Sequence, residues 1–371
     1  MVSRVAKTTK EPPVPATHCT ASIELQFQDR PVVITHDAPQ ISSDGGALLL
    51  RRLDEQLKLT EALTEFLEDE RHPSRRRHDR LEQMRQRVYQ IALGYADCND
   101  AEVLRHDPAL QVACGTGEQV LSSQPTLSRF ENGVTGRELN RLWRWFEQEY
   151  VESLAPTTQV VVLDIDGTDD PTHGAQQLSF FHGFYDQHMF HPLLVFDGES
   201  GQLITALLRP GRAHAARGAT TILERLIRAI KQRCPHAAVI VRGDSAFAMP
   251  LVLERLEALS VELGEVHYVL GLAKNPRLLA LATPLLVDAA AQHAATQGFV
   301  RRFEWVTYAA QTWPRARDIV LKVEHGERGA NPRFVVTTLT GFAPGLIYDR
   351  AFCPLGDRPK PATDDRLKTG H

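Results

Sequence analysis

The chain has 371 residues, of which 43% are hydrophobic and 24% charged, and this length and apolar content suffice for two folded domains. A formal net charge of −4 excludes a uniformly basic surface, so any contact with nucleic acid must come from local clusters. Five cysteines without a CxxC pair argue against a disulfide framework and a zinc site. No apolar run is long enough for a membrane span or signal peptide, which predicts a cytoplasmic protein without membrane contact.

The first segments of the chain differ sharply in composition. Residues 1–30 are polar and rich in Pro and Thr, which predicts a flexible leader ending in the strand-like SIELQF. Residues 31–155 space Leu, Ala and aromatic side chains at helical intervals and predict a mainly helical domain. The run RHPSRRRHDR within it makes Arg75, Arg76 and Arg77 candidates for contacts with DNA phosphates. The alternative is a solvated helix face.

A second pattern begins at Pro156 and extends to residue 353. TTQVVVLDIDGTDD predicts a buried strand that ends in acids, and a hairpin around DGESG follows it. Next come the helix ATTILERLIRAIKQR, the strand AAVIVRGDS, another helix and the strand HYVLGLA. This order predicts an α/β domain in a chain that is α+β overall, with a mixed sheet flanked by helices. Three further β-rich segments predict a strand insertion at about 297–342.

The acids at the ends of these strands are the candidate catalytic residues. Asp164 and Asp166 share one face of the first strand, and Asp244 ends a second strand. Hard carboxylate oxygens are the ligands that Mg²⁺ prefers. We expect Asp166, the last residue of its strand, to bind Mg²⁺ together with Asp244, and Asp164 to support the site from behind. The alternative is that each strand-end Asp caps the following turn.

A second set of basic residues follows the hairpin, in the segment LLRPGRAHAARG. Arg209, Arg212 and His214 are expected to bind DNA phosphates near the acids. Solvation of an exposed loop is the alternative, and the sequence leaves both open.

The motifs LDIDGTDDPTHGAQQ, HPLLVFDGESGQLITALLRPG, VRGDSAF, YVLGLAKN, NPRFVVTTL and IYDRAFC follow each other in the chain. In this order they resemble bacterial insertion-sequence transposases of the DDE superfamily, in the group whose RNase H-like core carries a β-strand insertion. SSDGGALLL, QRVYQIALGYADCNDAEVLRHDP and QPTLSRFENG, further upstream, resemble the same proteins. The likeness therefore runs from about residue 35 to 353.

The resemblance implies both the fold and the chemistry of the second domain. Asp166 and Asp244 would be the first and second catalytic acids of an RNase H-like core, in a complete site that holds two Mg²⁺ ions. The partners would be double-stranded DNA, namely the terminal inverted repeats of the element and its target DNA. The helical domain would bind DNA, and the DNA complex is expected to contain a homodimer.

The third catalytic acid of the family lies in a motif spaced Tyr, two residues, Arg, three residues, Glu, six residues, Lys. Counted from Phe352, the later positions hold Leu355, Pro359 and Arg366. The resemblance thus implies that the third carboxylate is missing and that residues 354–371 are an aberrant tail after a frameshift or premature end. Strand cleavage is expected to be defective. The alternative third ligands are Asp357, Asp364 and Asp365.

Two other functions fit parts of the sequence. VVVLDIDGT also resembles haloacid-dehalogenase-type phosphatases, with Asp164 as nucleophile and Asp166 as acid and base. Against this alternative, no acid follows GDS within a few residues, and a hairpin directly after the first strand favours an RNase H-like sheet. The other alternative is a non-catalytic remnant of a transposase, which would bind element ends without cutting them.

Overall fold

The computed structural model describes residues 23–27, 30–34, 42–117, 119–174, 176–214, 216–327 and 329–353. These residues belong to two compact units that divide between Leu142 and Trp143. The division falls inside the helix Gly136–Ser153, whereas the boundary that we predicted, after residue 155, falls just beyond the end of this helix.

The described residues form the following helices and strands, numbered in chain order. The helices are α1 Ala47–Leu57, α2 Leu59–Glu65, α3 Arg80–Ala92, α4 Ala101–Leu104, α5 Pro108–Cys114, α6 Gln124–Asn132, α7 Gly136–Ser153, α8 Ala219–Arg233, α9 Pro250–Leu263, α10 Pro276–Thr296 and α11 Pro344–Leu346. Short 3₁₀ turns span Pro73–Arg75 and Cys98–Asp100, and a π-helical turn spans Ile347–Phe352. The strands are β1 Ile23–Phe27, β2 Arg30–Ile34, β3 Val160–Gly167, β4 Asp170–Pro171, β5 Phe180–His182, β6 Gln187–Phe190, β7 Leu193–Asp197, β8 Leu203–Leu207, β9 Ala238–Gly243, β10 Val266–Leu272, β11 Val300–Tyr308, β12 Arg317–Gly326 and β13 Gly329–Thr337.

The first unit is mainly helical, as the spacing of its apolar residues predicts. It begins with a two-stranded antiparallel sheet of β1 and β2. β1 coincides with the strand-like segment SIELQF, in which the predicted leader ends. Residues 1–22, which make up the rest of the predicted leader, lie outside the described residues.

The buried carboxylate of Asp54 organises the core of the first unit. It accepts hydrogen bonds from the backbone N–H of Thr60 at 2.8 Å and from the hydroxyls of Thr60 at 2.5 Å and Tyr89 at 2.7 Å. Burial, followed by the hydrogen bond to Asp54, raises the pKa of the Tyr89 phenol, so this group stays a proton donor. The network joins α1, α2 and α3 through one acid.

The second unit is built on an eight-stranded mixed sheet with the order β11-β12-β13-β10-β9-β3-β7-β8. β3, β9 and β10 are mutually parallel, and β7 and β8 are antiparallel to their neighbours. Five strands of this sheet, taken in chain order from β3, stand in the order 3-2-1-4-5, which is an RNase H-like arrangement. The fold predicted for residues 156–353 is therefore confirmed.

The predicted insertion continues the same sheet. β11, β12 and β13 form an antiparallel meander, and β13 pairs antiparallel with β10. The sheet is therefore extended by three strands on the side of β10, while the hairpin of β7 and β8 forms its opposite edge.

The two faces of the sheet are covered differently. One face packs against α8, α9 and α10, with Leu163, Ile165 and Val241 of the central strands fully buried among them. The other face is covered by Ile347 and Tyr348 of the π-helical turn over Val269 and Val335. Over β3 and β9 on that face, the described residues leave a largely apolar cavity of about 240 Å³.

One described helix, α10, has the length and apolar composition of a membrane span, with a mean hydropathy of 1.3. It packs against the meander, where Leu278, Ala282 and Ala289 are buried. A single helix of this kind is weak evidence for a membrane protein, because core helices pass the same test.

An ion pair lies under the strand ends at the centre of the sheet. Asp164 of β3 stands opposite Arg242 of β9, and their side chains form two hydrogen bonds of 2.5 and 2.7 Å. Both residues are at most 4% exposed. The guanidinium of Arg242 also donates to the carbonyls of Gly198 at 3.3 Å and Ala351 at 3.2 Å. Through these hydrogen bonds, Arg242 connects β9 to β3, to the turn between β7 and β8, and to the π-helical turn.

We predict that Arg242→Met lowers the free energy of unfolding by roughly 3 to 5 kcal/mol, because the buried Asp164 carboxylate loses the positive charge and the two hydrogen bonds of the guanidinium. The double variant Asp164→Leu with Arg242→Met should recover much of this loss, since both charges are then removed together. Urea denaturation followed by circular dichroism measures both values. An equal loss in the single and double variants would show that packing, and not the unpaired charge, dominates.

Candidate active site

The candidate catalytic acids lie at the C-terminal ends of two neighbouring central strands, β3 and β9. β3 and β9 are parallel neighbours, and the last pair in register is Ile165 with Gly243. Asp166 and Asp244 are the next residues on the two strands. Because paired strands lie about 4.7 to 4.9 Å apart, the two backbones carry these acids to the same end of the sheet. Both residues are exposed.

Depth in the sheet separates the two acids of β3. Asp164 and Asp166 occupy the same face, since the residues of β3 alternate with Leu163 and Ile165, which are buried in the core. Asp164 is 1% exposed and is held by Arg242, whereas Asp166 reaches solvent. The structure thus places Asp164 below the strand end and Asp166 at it.

Asp244 has a structural role in addition to its exposed position. Its carboxylate accepts a hydrogen bond of 2.9 Å from the backbone N–H of Ala246 and so caps the turn after β9. Gly243 precedes it where a Cβ would lie only 3.0 Å from Ile165 and 3.1 Å from Leu270. A Cβ at this position would require the side chains of Ile165 and Leu270 to shift by a few tenths of an ångström, so the packing between the strands is tight here.

Tyr185, which the sequence did not single out, lies close enough to both acids for their charges to act on its phenol. It belongs to the turn between β5 and β6 of a small three-stranded sheet. Burial raises the pKa of its phenol, and the negative charges of Asp169, Asp166 and Asp244 raise it further. One phenol therefore senses three carboxylates contributed by two strands and the segment that follows β3. No signal in the sequence connects Tyr185 to these acids.

Gln187 and His191 also lie in this region, near Asp169 and Tyr185. Gln187 donates a hydrogen bond of 2.8 Å to Asp169. The ring of His191 is 4% exposed and donates from Nδ1 to the carbonyl of Ala213 at 3.0 Å. Burial lowers the pKa of His191, so the neutral imidazole is favoured here. Its ring centre lies 6.1 Å from that of Tyr185.

Arg209 supports the loop beside the acids from inside the protein. It is 3% exposed and donates to the carbonyls of His191 at 2.7 Å, Arg217 at 3.0 Å, His214 at 3.2 Å and Pro192 at 3.3 Å. Burial, followed by repulsion from Arg217, lowers the pKa of its guanidinium to about 10. This burial contradicts the predicted DNA contact of Arg209, because its donors point at backbone carbonyls.

The other basic residues of this loop remain at the surface. Arg212 is exposed and lies over the ring of Phe180 at 4.9 Å. His214 is exposed, and its Nδ1 accepts a hydrogen bond from the backbone N–H of Ala216 at 3.1 Å. Both positions leave room for contact with an anion.

In the first unit, the cationic run is partly engaged by acids. Arg76 donates to the carbonyls of Arg71 and Asp69, both at 2.9 Å, and its guanidinium lies 3.4 Å from the Asp69 carboxylate. Arg77 is exposed. The backbone of Arg75 belongs to the 3₁₀ turn Pro73–Arg75.

Comparison with known proteins assigns the family. A family model described as "Transposase DDE domain group 1" matches residues 25–360. The chain belongs to the DDE transposases. No curated protein sequence gives a significant match.

Two solved transposase structures are similar to this DDE transposase chain. One is a piggyBac transposase synaptic complex with hairpin DNA, with 11% identity, a TM-score of 0.42 and coverage of 84% of this chain. The chain spans 66% of that protein's length, slightly less than two thirds. The other is a Mos1 transposase paired-end complex with the left transposon end, with 14% identity, a TM-score of 0.20 and coverage of 68% of this chain and 85% of that one.

The predicted absence of a third catalytic acid stays a prediction, because the described ranges of the chain do not include the family position of that acid. Within those ranges, no group of three His, Cys, Asp or Glu side chains has the arrangement of a metal centre. The predicted tail 354–371, with Asp357, Asp364 and Asp365, lies outside the described residues. The carboxylates of Asp166 and Asp244 are hard oxygen ligands, which suit a divalent cation such as Mg²⁺.

We predict that Asp166→Asn and Asp244→Asn each lower the pKa of Tyr185, because each removes a negative charge that opposes ionisation of the phenol. NMR titration of tyrosine labelled with ¹³C at Cζ measures this pKa. Asp186→Asn is the matched control, since it neutralises the next residue in the chain, whose charge does not contribute to the shift. An unchanged pKa in both site variants would place the two acids away from Tyr185.

Arg209→Met and Arg212→Gln should separate a structural arginine from a surface one. We expect Arg209→Met to lower the free energy of unfolding by at least about 2 kcal/mol, because four carbonyls lose a charged donor. Arg212→Gln should leave stability nearly unchanged and weaken duplex binding in fluorescence anisotropy. The opposite ranking would return Arg209 to the DNA-binding surface.

Proposed function

We propose that the chain is a DNA transposase whose strand-cleavage centre is formed by Asp166 and Asp244. The observation that carries this proposal is the juxtaposition of two exposed acids at the ends of parallel β3 and β9 in a DDE family member. The substrates would be the ends of an insertion sequence and its target DNA. The transposases in the two similar structures are in complexes with DNA, which is consistent with this partner.

Asp166 and Asp244 would hold Mg²⁺ through their carboxylate oxygens, with water and phosphate oxygens as the other ligands. When bound, the ion supplies Lewis-acid activation of an attacking hydroxyl and stabilises the leaving oxygen. The hydrogen bond from Ala246 restrains the orientation of the Asp244 side chain. A restrained ligand holds its geometry at a smaller entropic cost than a mobile one.

Neighbouring residues would bind and orient the DNA. Arg212 and His214 are exposed in the loop that Arg209 supports, so a phosphate could meet a rigid pair of donors there. Tyr185 keeps its proton because its pKa is raised, and it can therefore donate a hydrogen bond to an oxygen at the acids. In the first unit, Arg75, Arg76 and Arg77 would contact the DNA backbone, and the DNA complex would contain two copies of the chain.

We further propose that this chain cleaves DNA poorly. The family position of the third acid holds Pro359, and two carboxylates offset less positive charge than three. A chain that binds element ends without cutting them is the second candidate function. Its specific support is the Pro359 that stands where the family has its third acid.

The phosphatase alternative requires Asp164 to be the nucleophile. This carboxylate is 1% exposed and accepts two hydrogen bonds from Arg242. A substrate could reach it only if this ion pair broke. The environment of Asp164 therefore argues against the phosphatase.

The proposal predicts that the full chain binds Mg²⁺ weakly and that Asp166→Asn or Asp244→Asn abolishes the binding. Isothermal titration with MgCl₂ measures this, with Asp186→Asn as the control that removes one nearby charge. Cleavage is measured in parallel on a supercoiled plasmid that carries the genomic DNA flanking the coding sequence. Binding without nicking would favour the non-cutting candidate, whereas binding that survives both site variants would contradict the assignment of the acids.

A further inference from the structure

A cationic cavity of about 690 Å³ lies within the first unit, between the segment after Asp69 and helix α6. Five of its lining side chains are arginines, namely Arg71, Arg77, Arg80, Arg105 and Arg129. None of its described lining residues is acidic. In a chain with a net charge of −4, this concentration of positive charge is local. The volume falls within the roughly 300 to 1,000 Å³ typical of ligand pockets and far exceeds the needs of a free phosphate.

Two of the five arginines hold the wall of the cavity. Arg71 binds the Asp69 carboxylate from Nε at 2.7 Å and from Nη2 at 2.8 Å, and this pair lowers the pKa of Asp69 to about 2. Arg80 lies over the ring of Phe130 at 5.3 Å. Both side chains are therefore used in the structure of the first unit.

The other three arginines have few partners within the described part of the chain. Arg77 is exposed and makes no hydrogen bond or ion pair there. The guanidinium of Arg105 meets His106 at 3.1 Å and Glu102 at 3.8 Å, and Arg129 makes one weak contact of 3.5 Å with the Thr126 hydroxyl. Their donors are available to an anionic ligand.

Buried polar atoms at the cavity also lack partners. Gln83, which lines the cavity, is 1% exposed, and its Oε1 has no hydrogen-bond partner. The buried Nε of Arg80 also has no hydrogen-bond partner, although an oxygen of Asp69 lies 3.8 Å from it. A ligand with both an oxyanion and a donor would satisfy these groups. A nucleotide combines these two features, because its phosphate is an oxyanion and its base carries N–H donors.

We propose that this cavity binds one nucleotide unit of a DNA strand, with its phosphate held by Arg77, Arg105 and Arg129. The proposal rests on the transposase function only for the source of the nucleotide. It requires neither Mg²⁺ nor the acids of the second unit. In the first unit, the DNA contacts predicted from the sequence are those of Arg75, Arg76 and Arg77, so Arg105 and Arg129 would add to them.

Fluorescence anisotropy of a labelled DNA duplex, titrated with the full chain in EDTA at several salt concentrations, tests the proposal. Arg105→Gln and Arg129→Gln should each raise Kd roughly five- to tenfold at 0.1 M salt and flatten the salt dependence by about 0.9. Arg129→Lys, which keeps the charge, should retain most of the slope. Arg52→Gln is the matched control, because Arg52 is exposed on α1 and does not line the cavity.

The outcomes separate this proposal from the proposed function. Equal effects in Arg52→Gln, or no effect in Arg105→Gln and Arg129→Gln, would overturn the cavity assignment. So would an unchanged DNA affinity with loss of inorganic phosphate binding in ³¹P NMR, since the cavity would then take a free anion. DNA binding that depends on these arginines in a chain without Mg²⁺ binding would leave the cavity assignment in place and remove the catalytic one. Circular dichroism verifies that each variant is folded.

Discussion

The buried ion pair of Asp164 and Arg242 is the interaction on which the second unit depends. Two charges in a dry interior are stable only when their geometry is good and their remaining donors are satisfied. Both conditions hold here, because the guanidinium also reaches the carbonyls of Gly198 and Ala351. The pair thereby connects β3 and β9 to the turn between β7 and β8 and to the π-helical turn Ile347–Phe352.

This pair also decides which acid is available for chemistry. Asp164 and Asp166 are two residues apart on one face, so their side chains differ mainly in distance from the strand end. The deeper carboxylate is taken by Arg242, and the outer one is left at the surface beside Asp244. A slip of one residue between β3 and β9 would turn both acids toward the hydrophobic core. The ion pair therefore stabilises the register that brings Asp166 next to Asp244.

Most of the fold follows from local periodicity, and most of the site does not. Continuous apolar runs predicted β3, β9 and β10, and the turn residues DGESG predicted the hairpin, because these signals are contained within a few neighbouring residues. The burial of Arg209 could not be inferred, since its acceptors come from two segments that converge only in the folded chain. The position of Tyr185 could not be predicted for the same reason. The carboxylates that act on its phenol come from other segments of the chain, and the turn sequence GFYD does not indicate them.

The position of β13 in the sheet has a consequence for how the chain folds during synthesis. β10 is a central strand, yet its second neighbour, β13, leaves the ribosome only after α10, β11 and β12 have been made. Until then the strand VHYVLGL exposes apolar side chains and a row of unpaired backbone N–H and C=O groups, which can pair with strands of other chains. Non-local pairing of this kind is slow. During synthesis, a strand that is buried in the folded protein is thus exposed to pairing with other chains. Rapid docking of the meander or binding of a chaperone would protect β10 from such aggregation.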